Sequence, residues 1–105
     1  MSPRRPDILA LEWDDDNEDH ILKHILPDLV DEMIEGADWY AFSNSSGHPP
    51  ERRKILGRTA SGVFVTAIVT PSATGQYGTW RPVTAWHSTD YERERYQQLR
   101  RQKGR

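Results

Sequence analysis

Arg53-Lys54-Ile55-Leu56-Gly57-Arg58, then Thr59-Ala60-Ser61-Gly62, then Val63-Phe64-Val65-Thr66-Ala67-Ile68-Val69-Thr70 is the stretch on which the fold turns. Two apolar, β-branched runs flank four residues of turn chemistry ending in a glycine that tolerates positive φ, which predicts a β-hairpin. In the second run Val63, Val65, Ala67 and Val69 share one face, with Phe64 and Ile68 on the other. Apolar groups on both faces mark a central strand.

Working outward, Thr79 to His87 reads as a third strand carrying Trp80 and Trp86. Its Pro82 cannot donate to a ladder and belongs near an edge or at a bulge. Thr89-Asp90-Tyr91-Glu92 matches a capping box, so a polar helix starts near Asp90. Upstream, Ser43 to Arg52 has the composition of an exposed loop, and Trp39-Tyr40-Ala41-Phe42 is a brief strand or a hydrophobic plug. Ile8 to Trp13 is a short strand ended by Asp14 to Asp16. Ile21, Leu22 and Ile25 fall at helical spacing behind Asp16 or Asn17 as cap, and Pro27 opens a second helix with Leu29, Val30, Met33 and Ile34 as its stripe and Gly36 as its stop. The fold class is therefore α+β: a twisted antiparallel sheet of about four strands, with two N-terminal helices packed on one face and a C-terminal helix, the helices lying against one sheet face. The expected organisation is a flexible N-terminus over 1–7, a single domain over 8–99 and a basic disordered tail over 100–105.

With 105 residues, 35% hydrophobic and 29% charged, the chain suits one thin two-layer core. That size excludes a two-domain enzyme and argues against a large buried cavity. There is no cysteine, hence no disulfide and no thiolate chemistry. No apolar run approaches the roughly 20 residues of a membrane span, and a cytoplasmic location with no membrane partner is expected. The net charge of −2 conceals a split: twelve of the sixteen acids fall between Asp7 and Asp38 with Lys23 as the one base among them, while eleven of the fourteen bases follow Trp39. Such asymmetry gives one surface that meets phosphates or an acidic protein, or else two surfaces that neutralise each other across the fold.

This order of elements, with Leu11-Glu12-Trp13-Asp14, Asn17, Lys23-His24, Leu56-Gly57-Arg58-Thr59, Val83-Thr84-Ala85, and Glu92-Arg93 with Tyr96, resembles the BrnT family of bacterial toxins within the larger RelE-like group of small ribonuclease folds. The resemblance runs from about Leu9 to about Tyr96. It implies a metal-independent endoribonuclease of a type II toxin-antitoxin system that needs no cofactor, takes RNA as substrate, and is neutralised by a cognate antitoxin through which alone it meets operator DNA. A homodimer stays open. Carried over by residue, the catalytic candidates are His24, Arg58, Lys23, Glu92 and Tyr96. Two departures stand out: Trp86 where the family usually has an Arg after the small residues ending the last strand, and Ile25 where a Gly commonly follows Lys-His. The alternative is a non-catalytic domain of the same fold that binds a protein or a nucleic acid.

Metal-free RNA cleavage needs a base for the 2′-hydroxyl, an acid for the leaving oxygen and cations for the phosphorane, the cations usually contributing most. His24 carries an imidazole, the side-chain type suited to acid or base work at neutral pH, but Lys23 points about 100° away around a helix. His24 reads equally as a packed helix histidine. Arg58 is a bidentate phosphate clamp sharing its strand face with Lys54 and Leu56, or an exposed strand guard. Glu92 and Tyr96 lie one turn apart, yet Glu92 is also the capping partner of Thr89. His20 and His24 have two-histidine metal spacing without an obvious third ligand, so no metal is assigned. Arg81, Trp86, His87 and Arg93 are the candidate RNA-binding positions, aromatics beside cations being suited to unpaired bases. At least two of the four Trp should be core, and Tyr91 and Leu99 are placed at a protein contact.

Overall fold

The computed structural model describes residues 8–36, 38–43, 52–72 and 74–103. Along them run β1 (Ala10–Leu11), α1 (Asp15–Leu22), α2 (Pro27–Glu35), β2 (Trp39–Ser43), β3 (Arg53–Arg58), β4 (Phe64–Pro71), β5 (Thr79–His87) and α3 (Asp90–Lys103). The segment 1–7 and most of the Ser43 to Arg52 loop lie outside the described residues. The hairpin forms as its turn chemistry dictates: Arg58 faces Phe64, Gly62 takes φ +93, and the Thr59 hydroxyl accepts the Val63 N–H at 3.0 Å.

The strands make one five-stranded sheet in the order β1-β5-β4-β3-β2. β2 to β5 pair antiparallel, and Trp39 to Ser43 is a strand rather than a plug. The sheet is nevertheless mixed, because β1 pairs parallel with β5 through Ala10↔Thr79 and Leu11↔Trp80. The expectation of about four antiparallel strands is corrected accordingly. A parallel partner needs a long crossover, and here every other strand and two helices intervene between β1 and β5.

β1 is only two residues long, and a side chain replaces its continuation. Asn17 donates its amide to the Glu12 carbonyl at 2.9 Å and to the Pro82 carbonyl at 3.1 Å, bridging the gap where β1 leaves β5. Pro82 sits at a bulge: Ile68 opposes Thr84 and Val69 opposes Pro82, so Val83 is the extra residue. The cap of α1 is Asp14, not Asp16 or Asn17. Asp14 has extended backbone and accepts the Asn17 N–H, while the Asn17 side chain accepts the Asp14 N–H in return.

Alternation along the strands sorts the side chains into two layers. On the inner face Ile55, Val65, Ala67, Val69 and Ala85 join Ile21 and Ile25, the α2 stripe Val30, Met33 and Ile34, and Trp39 in one buried cluster. Packing there is close: a Cβ on Gly57 would stand 2.6 Å from the Met33 thioether and 2.7 Å from Trp39 Cβ, so only glycine fits. Of the four Trp only Trp39 is buried, one fewer than expected; Trp13 packs half-buried against the core and gives its indole N–H to Asp31 at 2.9 Å.

α3 lies on the other face, not beside α1 and α2. It crosses the sheet with Glu92 on Thr66, Trp86 and Lys54, and Tyr96 against Phe64 and Tyr40. The reason is chemical. The inner face is already filled with aliphatic groups, whereas a helix offering one buried Tyr96, a half-buried Leu99 and a carboxylate suits a face of aromatic and polar groups. α3 also continues through Arg100 to Lys103, so the stretch expected as a disordered tail begins as ordered helix.

Candidate functional site

Glu92 is the centre of the outer face. Reciprocal bonds with Thr89 make the expected capping box, the Thr89 N–H reaching Oε1 at 2.9 Å and the Glu92 N–H reaching the Thr89 hydroxyl at 3.2 Å. The same Oε1 accepts from Thr66 Oγ1 and Trp86 Nε1, both at 3.0 Å, while Oε2 faces the Lys54 ammonium at 3.1 Å. Burial pushes its pKa up, but the donors on Thr89, Trp86, Lys54 and Thr66 together outweigh burial and hold the carboxyl below its ordinary range. Glu92 is thus an ionised strut, already accepting four donors, that ties α3 to three strands.

Tyr96 is similarly committed. Its ring is buried between Tyr40 and Phe64, with centroids at 5.6 and 5.7 Å, and its hydroxyl accepts from Arg100 Nη1 at 3.1 Å. Burial, followed by contact with the Asp38 carboxylate, pushes its pKa up. Arg58 stands nearby at the end of β3, its Nε 3.8 Å from Asp38 Oδ2, and Arg100 binds both Asp38 oxygens at 2.9 and 2.8 Å. Arg58, Glu92 and Tyr96 are therefore brought to one face, joined by Lys54, Asp38 and Arg100.

Lys23 and His24 are not. Both are exposed in the turn that follows α1, in the layer that packs on the inner face. The expected convergence of His24 with Arg58 on one phosphate is corrected: the sheet separates them, because the turn after α1 and the strand β3 present these residues on opposite sides. His24 meets His20 edge-on at 5.6 Å, and among the described residues no group of three His, Asp or Glu is arranged to hold a metal ion.

The RNA-binding candidates divide too. Arg81 is paired with Asp14, in a contact that holds the Asp14 carboxyl down at about 2, and lies 4.0 Å from Glu12. Its charge is locally neutralised, in a shallow cleft of about 320 Å³ that also includes His20, Arg52 and Asp16. Trp86 supplies Glu92 with an N–H but carries no positive charge. His87 is exposed with the parity of Ala85, opposite to Trp86. Arg93 lies on the outer side, its guanidinium carbon 4.8 Å over the Phe64 ring, and Arg95 lies 5.7 Å over Phe42.

The sequence reading missed the parts played by Lys54, Asp38 and Arg100. For Lys54 a signal existed, since it shares strand parity with Arg58. Asp38 and Arg100 are 62 residues apart and nothing local pairs them.

The charge split along the chain becomes a split across the sheet. α1 and α2 together carry eight acids and no Lys or Arg. α3 carries five bases against three acids, and Lys54 and Arg58 face it from β3. Among the described residues no helix is long and apolar enough to cross a membrane. The chain matches no protein-family model, no curated protein and no solved structure, so the site is read from its own geometry.

Proposed function

We propose that this chain is a nucleic-acid-binding module of BrnT type, the toxin-side member of a bacterial toxin-antitoxin pair, that engages the RNA backbone with the outer face of its sheet and α3. The observation that carries this reading is the segregation of charge: acids on the layer of α1 and α2, arginines and Lys54 on the opposite face. A surface so divided orients an approaching polyanion before contact and admits it to one side. Half-buried Phe42, Phe64 and Trp86 add flat apolar surface to the same side. A DNA-binding antitoxin that shields this face is the partner the reading implies, with exposed Tyr91 available at its edge.

Endoribonuclease activity is the second reading, favoured by Lys54, Glu92 and Arg58 sharing that face. It is the weaker one, since Glu92 and Tyr96 are both engaged in structural bonds and, among the described residues, no imidazole joins them. Induced expression in a bacterial host, with growth and RNA integrity followed together, separates the two. Binding without cleavage predicts affinity for RNA that falls steeply with salt, intact RNA, and loss of binding in Arg58→Ala. Growth arrest with cleaved RNA that is abolished by Arg58→Ala establishes the enzyme instead. A wild-type protein that binds RNA at no salt concentration overturns both.

A further inference from the structure

The two arginines at the end of α3 and β3 surround a carboxylate in the manner in which cations surround a phosphate. Arg100 Nη1 reaches both Asp38 oxygens at 2.9 and 2.8 Å and the Tyr96 hydroxyl at 3.1 Å. Arg58 comes to the same carboxylate from the strand, but at 3.8 Å, beyond a hydrogen bond. A guanidinium has five N–H donors, and a planar pair of acceptors uses few of them. Two cations facing one carboxylate leave one positive charge in excess, and the cluster is open: side-chain exposure is 37% at Arg58, 52% at Arg100 and 30% at Asp38.

The carboxylate is held in place from the backbone. The Asp38 carbonyl accepts the Arg58 N–H at 3.0 Å, anchoring the residue before β2 to the end of β3 whatever its side chain does. The floor is rigid as well, since Tyr96 is wedged between Tyr40 and Phe64. Arg93 extends the positive surface two turns before Arg100 on α3, roughly 10 Å away.

We propose that Asp38 is the resident occupant of an anion site, and that a phosphate group exchanges with its carboxylate between Arg58, Arg100 and the Tyr96 hydroxyl. A phosphate offers more acceptor oxygens than Asp38, engages the Arg58 donors that Asp38 leaves unused, and matches the excess charge. Asp38 then acts as a built-in competitor that sets the affinity of the outer face for phosphate backbones. This deepens the RNA reading and rests on it for the identity of the natural ligand.

The test compares the full chain with Asp38→Asn, which keeps the side chain's shape and the backbone anchor. Inorganic phosphate is titrated while the arginine Nε–H resonances are followed, and a short single-stranded RNA is titrated in parallel. Asp38→Asn is expected to bind phosphate about tenfold more tightly than wild type, one opposing charge having been removed at contact distance. The gain is lost in the double variants with Arg58→Ala or Arg100→Ala. Unchanged or weaker phosphate binding by a folded Asp38→Asn overturns the proposal. If the variant does not fold, wild type decides: phosphate that shifts the Arg58 and Arg100 resonances supports the site, and phosphate that leaves both unmoved removes it. Tighter phosphate without tighter RNA keeps the site and ends the RNA reading. RNA bound by both proteins while phosphate binding is unchanged by Asp38→Asn keeps that reading and ends this one.

Discussion

The inner face of the sheet is covered by two helices through interlocking aliphatic side chains, and the outer face by one helix through a carboxylate, a tyrosine and an arginine pair. Both coverings bury the strands, but they respond to different agents. Apolar burial is indifferent to pH and weakly affected by salt. The contacts of α3 run through the carboxylates of Glu92 and Asp38. The side built for stability is thus the acidic, closed one, and the side offered to a ligand is the one held by charges a ligand can compete for.

The greatest effect is expected at the inner face. Met33→Ala empties a fully buried site against Gly57 and Trp39, and should cost about 2–5 kcal/mol in urea unfolding. A loss under 1 kcal/mol would show that the core is looser than its spacing implies. Next comes Glu92→Ala, which leaves Trp86 and Thr66 without their acceptor and Lys54 unpaired. Because Lys54 is partly exposed, the cost is smaller, about 1–3 kcal/mol. Amide exchange should accelerate in α3 while β4 stays protected, and uniform acceleration through the whole chain would mean the two coverings are not separable.

Acid makes the same comparison without a mutation. The folded pKa of Glu92 lies below the ordinary 4.5, so its contribution is complete above that value and is lost as pH falls through the lower folded one. Between pH 5 and strongly acidic conditions the near-ultraviolet signal of Trp86 and Tyr96 should change before helix content in α1 and α2 falls. Simultaneous loss would refute separate control. The smallest effect is expected for Lys23→Ala with His24→Ala, both in the exposed turn: stability within about 0.5 kcal/mol and RNA binding unchanged. A large loss of binding from that pair would return the site to the inner layer.

Local chemistry made much of this legible. Strands Arg53–Arg58 and Thr79–His87, the glycine turn, the face alternation of β4, the helix start at Pro27 and the Thr89–Glu92 box all depend on neighbours within a few residues. What could not be read requires partners remote in sequence. The pairing of β1 with β5 rests on two residues with no turn to set their register. The side chosen by α3 depends on which sheet face is still uncovered once α1 and α2 have docked. His24 departs from expectation for a related reason: the spacing around Ile21 marks a helix, but neither that it ends at Leu22, before His24, nor which layer it enters.

Asn17 carries a last implication. Where β1 stops, the carbonyl of Pro82 would face outward as an unmet acceptor on the flank of β5, an invitation to any stray extended peptide. One carboxamide, itself secured by the Asp14 turn, meets that acceptor, so the opening that β1 leaves beside Pro82 is closed by a residue that belongs to a helix.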